Sequence, residues 1–136
     1  MSYSTSKITT VADCDLLLAW AAKEKADLNF KKLSEERLTT NYSTASIEID
    51  AELQSVLTEI TATDTIIAAL PAGNSKDDAA KKKVRLEYKK FLLENRKESY
   101  GVVALLEKEL DLTKVTLELA EIDTFTDAIT TRKAAL

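Results

Sequence analysis

Turn-forming residues are nearly missing from this chain. It holds two Gly and one Pro among 136 residues, about 2% against roughly 12% in an average protein. Sheet-rich folds need many turns, and turns draw on Gly and Pro because these supply the required backbone angles. So few of them leave room only for a small number of long elements, which means helices. Apolar residues at 45% and charged residues at 31% are ordinary for a globular chain, and residues 1–136 read as a single helical domain.

The chain also repeats itself. Ala21–Leu33 aligns with Ala79–Phe91 at a shift of 58, with seven of thirteen residues identical. Phe30/Tyr88 and Leu33/Phe91 are close matches, and Tyr42/Tyr100 keeps the same shift. Further on the shift becomes 59, through Ile47/Leu106, Leu53/Leu112, Val56/Val115, Glu59/Glu118 and Asp64/Asp123. Repeat one spans about 17–70 and repeat two about 75–129, as a duplication would leave them.

One extra residue inside a helix turns everything after it by about 100°, so an insertion is expected in a loop. The shift changes between Tyr42 and Ile47, and between Tyr100 and Leu106 in the second stretch. Thr39–Thr44 is poor in helix formers and Gly101 follows Tyr100, which favours breaks at 40–45 and 99–103. Pro71-Ala72-Gly73-Asn74 makes a further break, and Ser75-Lys76-Asp77-Asp78 resembles a capping box. The expected fold is all-α: an antiparallel four-helix bundle of two tandem αα-hairpins, with helices at 10–39, 45–70, 76–98 and 103–132 behind a loose tail at 1–8. The alternative is one long two-helix hairpin in which the outer breaks are only kinks.

The second of these segments carries a core seam of period 3.5: Ile49, Leu53, Val56, Ile60, Thr63, Ile67 and Leu70. The expected inner face of the first is Val11, Leu18, Ala22, Ala26, Phe30 and Leu33. In the third it is Ala80, Val84, Tyr88 and Phe91, with Asn95 as a polar member of the seam. A second row in the third segment, Ala79, Leu86, Leu93 and Tyr100, is spaced by sevens and lies about 180° from the first. Ala21, Leu28 and Tyr42 echo it, with Glu35 standing where Leu93 would be. One core does not easily absorb both rows, so Leu86, Leu93, Tyr100 and Leu28 are assigned to a homodimer interface; the alternative is a wide core face, with the third helix wedged between the second and the fourth.

Chemistry is sparse. No His and a single Cys remove Ser–His–Asp and Cys–His catalysis, His-ligated zinc and an intrachain disulfide. Cys14 lies between Asp13 and Asp15, which oppose thiolate formation, and reads as a core filler. Trp20 closes the apolar run Leu16–Trp20 and is expected in the core, the alternative being contact with a partner chain. Residues 38–75 hold five carboxylates and no Lys or Arg, whereas residues 76–98 hold nine cations against five carboxylates. That asymmetry suits pairing between neighbouring helices.

The expectation is therefore a non-enzymatic bundle that acts through protein–protein contacts, as a homo-oligomer or small adaptor. A homodimer or another helical protein is the expected partner. No cofactor, nucleic acid, small-molecule substrate or membrane span is expected, and a cytoplasmic location follows from the lack of a leader pattern in the first thirty residues. Two alternatives stand beside it. The recurrent Glu59/Glu118 and Asp64/Asp123 could hold a divalent metal, or Lys81-Lys82-Lys83, Arg85 and Lys89-Lys90 could bind an anionic surface.

Overall fold

A computed structural model describes residues 2–136, and these are almost wholly helical, with no strand among them. A short 3-10 turn, Thr5–Lys7, leads into α1 (Val11–Ala69), α2 (Asn74–Tyr100) and α3 (Val102–Ala135). Thr10 caps α1, its Oγ1 accepting the Asp13 backbone N–H at 3.2 Å, as Thr does at a helix start.

The break expected at 40–45 does not exist. Residues 40–45 are helical, and α1 continues unbroken for 59 residues. Weak local propensity is outweighed by tertiary packing, which supplies most helix stability in proteins. The Thr-rich stretch is tolerated in the same way: Thr58, Thr61, Thr63 and Thr65 each donate a hydroxyl to the carbonyl four residues back, satisfying groups that would otherwise compete with the helix.

The break expected at 99–103 shrinks to one residue. Gly101 donates its N–H to Lys97 O at 2.7 Å and accepts the Leu105 N–H at 3.0 Å. It ends α2 and begins α3 at once. The extra residue of the second stretch falls in this window, so only the longer stretch interrupts its helix. Around Gly73 the turn is as expected, with φ at 153°, a region open mainly to glycine. The capping box is not used: α2 begins at Asn74, behind Gly73, without a side-chain cap.

The chain divides into two compact units. In the first, α1 up to Thr39 packs against α3 from Lys108 onward. Lys133 pairs with Asp15 at 2.6 Å and Lys25 with Asp123 at 2.7 Å. Advancing ten residues along α1 retreats ten along α3, so the pairing is antiparallel. The segment expected as a loose tail is fastened here. Arg132 donates to Ile8 O at 2.8 and 3.1 Å and to Ser6 O at 3.4 Å, and the Tyr3 hydroxyl donates to Glu121.

The second unit, Thr40–Glu107, is antiparallel by the same reasoning. Lys97 faces Asp50 at 3.5 Å and Lys83 faces Asp64 at 2.6 Å, fourteen residues forward on α1 for fourteen back on α2. These pairs are half-exposed, so they chiefly set register.

Burial follows the sevens. Along α1, Cys14, Ala21, Ile49, Val56 and Thr63 are buried, with Leu28, Glu35 and Tyr42 half-buried between them. Thr39, Ser46, Leu53, Ile60 and Ile67 form the second row of the seam, the spacing of a two-stranded coiled coil. Facing them are Val115, Leu119 and Ile129 in the first unit and Leu86 and Leu93 in the second. Each fully buried aliphatic side chain stabilises by about 1.5–3 kcal/mol. Glu35 breaks the pattern: its Oε2 is buried without a hydrogen-bond partner.

Candidate interaction surface

On α2 the two rows exchange the roles expected of them. Leu86 and Leu93 are 9% and 6% exposed and belong to the seam with α1. Tyr100, still 43% exposed, sets its ring against Tyr42 in the same unit. Leu28 is half-buried in the seam of the first unit, between Ala21 and Glu35. These four residues therefore face their own chain rather than forming one free surface. Asn95 is exposed and is no member of a seam.

The row expected inside is outside. Val84, Tyr88 and Phe91 are 66%, 63% and 56% exposed, and the spacing of four and three residues puts them on one face of α2. In the first unit Phe30 and Leu33, at the matching positions, are 76% and 63% exposed. Ala22 and Ala26 are exposed beside them. Leu110 and Leu117 on α3 are exposed as well, one heptad apart. Large aromatic side chains suggested a core, but the unbroken seven-residue register of α1 was the signal that located it.

Three lysines of α2 meet acidic neighbours. Lys83 bonds Asp64 and lies near Glu87, Lys90 faces Glu94, and Lys97 faces Asp50. The hydrogen bond to Asp64, then its charge, raises Lys83 above the ordinary lysine value, and Asp15 does the same to Lys133. Asp64 and Asp123, proposed above as metal ligands, each take a lysine instead. Among the described residues no group of three acidic or thiol ligands could hold a metal ion. Among them, too, no helix is long and apolar enough to cross a membrane.

The first unit also bears a concavity of about 350 Å³. Tyr3, Trp20 and Phe125 line it together with Glu24, Glu118 and Glu121. Trp20, expected in the core, is 52% exposed there. Local sequence carries no signal for this wall, because the Tyr3 arm joins it through tertiary contacts. The hydrogen bond to Glu121 raises the Tyr3 phenol above its usual range. No known protein family matches this chain, and no curated protein or solved structure is detectably similar to it.

Proposed function

We propose that this chain is a non-enzymatic helical protein that acts through protein–protein contact, and that its primary partner is a second copy of itself. The observation that carries this reading is the exposed apolar row Val84, Tyr88 and Phe91 on the face of α2 turned away from α1. Phe30 and Leu33 repeat it in the other unit. Contiguous apolar surface of this kind marks contact sites. The chain exposes 9408 Å², whereas a folded monomer of 15.0 kDa is expected to expose about 7,000 Å². The excess, about 2,400 Å² per chain, is ample for a standard interface, which removes about 800 Å² from each partner.

In this reading the four-helix bundle exists as a two-copy assembly, each copy giving two helices. The interface moves from Leu86 and Leu93 to the row behind them. The sequence recurrence reads as duplication of one long helical arm rather than of a hairpin. Support comes from the ion pairs: under the alignment Lys25 matches Lys83 and Asp123 matches Asp64, so each arm's lysine meets the other arm's aspartate.

The test is solution mass by light scattering across a concentration series, for the wild type and for Tyr88→Glu/Phe91→Glu. A dimeric wild type and a helical, monomeric variant are expected. A wild type that stays monomeric at high micromolar concentration overturns the proposal.

A further inference from the structure

Three aromatic rings meet at the hollow of the first unit. Phe125 on α3 lies 5.1 Å from Tyr3 and 5.9 Å from Trp20, centroid to centroid, with interplanar angles of 81° and 82°. Both neighbours thus stand nearly perpendicular to it. Trp20 keeps half its surface open, so its ring remains accessible from the hollow.

The carboxylates come to the same place by helix geometry. Glu24 follows Trp20 by four residues on α1, and Glu118, Glu121 and Phe125 follow one another at three and four on α3, so each set shares a face. Glu121 accepts the Tyr3 hydroxyl. Among the described residues, Glu24 and Glu118 have neither an ion pair nor a hydrogen bond. The nearby cation Lys25 is taken by Asp123 at 2.7 Å. Uncompensated negative charge therefore lines a hollow walled by aromatic rings.

A compact metal ion has no ligand set here among the described residues. A large cation with diffuse charge needs none. Ring faces attract it through their quadrupole, tryptophan most strongly, and this is how aromatic cages hold quaternary ammonium groups. Carboxylates at a distance add attraction without having to coordinate. The volume of about 350 Å³ falls within the size range of small-ligand sites.

We propose that Tyr3, Trp20 and Phe125, with Glu24 and Glu118, form a binding site for a quaternary ammonium group. That chemistry is shared by small choline-like compounds and by trimethylated lysine side chains. The site is independent of self-association through the α2 row.

Trp20 is the sole tryptophan, so its fluorescence reports on the site directly. The full chain is titrated with choline, with acetyl-trimethyllysine amide, and with the neutral isostere of choline in which a tert-butyl group replaces trimethylammonium. A saturable change with at least one cation, about tenfold weaker for the isostere, is the expected result. A clear preference for trimethyllysine assigns the site to a modified protein partner; equal or better binding of choline assigns it to a small molecule. Glu24→Gln/Glu118→Gln, with helicity checked by circular dichroism, should weaken binding about tenfold. No saturable change with either cation, equal response to the isostere, or full affinity in the folded double variant overturns the proposal.

Discussion

Tyr42 of α1 and Tyr100 of α2 meet ring to ring, centroids 5.2 Å apart and planes tilted by 41°. They are also the same position in the two matching stretches, 58 residues apart. The contact thus joins matching positions of the two stretches. Replacing Tyr100 by Ala should cost about 1–2 kcal/mol, and a cycle with Tyr42→Ala should show about 0.5–1.5 kcal/mol of coupling. Strict additivity in urea unfolding would mean that the rings are neighbours without interacting.

Gly101 leaves no room for a side chain. A Cβ there would collide with the Lys97 carbonyl oxygen and come within 2.8 Å of Lys97 Cγ. The obstacle is partly backbone of α2, which cannot swing aside. Gly101→Ala should therefore lower stability by at least about 1–3 kcal/mol, measured by chemical unfolding. An unchanged midpoint would show that the junction relaxes freely.

Glu35 is the polar exception in its seam. Its counterpart in the second stretch is Leu93, which is buried, and Glu35 Oε2 is buried without a partner. Removing a buried unsatisfied polar atom recovers its desolvation penalty, so Glu35→Leu should stabilise by about 1–3 kcal/mol. A lower melting temperature would show that the carboxylate has a favourable role in the seam.

Leu93 and Phe91 are two residues apart and should respond in opposite ways to charge. Leu93→Glu places an unpaired carboxylate between α1 and α2 and should cost about 3–5 kcal/mol. Phe91→Glu adds a charge to solvent-facing surface and should leave helicity intact. Circular dichroism melts of both variants decide the matter: a well-folded Leu93→Glu would mean that the seam lies elsewhere.

Alkali should loosen the fold. Lys83 and Lys133 are raised by hydrogen bonds and charge from Asp64 and Asp15, and Tyr3 is raised by its bond to Glu121. A folded pKa above the unfolded one gives stability that is complete below the ordinary value and lost as pH climbs through the folded one. Melting temperature should thus fall above the ordinary values of 10.0 for tyrosine and 10.5 for lysine, and Tyr3→Phe should blunt the first part of that fall. A flat profile to strongly alkaline pH would remove these pairs from the stability of the protein.

The all-helical class was legible in the sequence because it follows from local chemistry: without Gly and Pro there are too few turns for anything else. The turn at Pro71–Gly73 was legible for the same reason, and so was the α1 seam from Ile49 to Ile67. Which row of α2 faces α1 was not. Val84, Tyr88 and Phe91 on one side and Leu86 and Leu93 on the other both fit a helix, and only the partner strand of the seam distinguishes them. The continuity of α1 through 40–45 was likewise decided by packing, since Tyr42 and Ser46 gain contacts there that the weak helix formers lack in isolation. The hollow at Trp20 depended most on tertiary structure. Its walls come from three separate parts of the chain, and the Tyr3 arm is held beside Phe125 by residues more than 110 positions away: Glu121, which accepts the Tyr3 hydroxyl, and Arg132, which holds the carbonyls of Ser6 and Ile8.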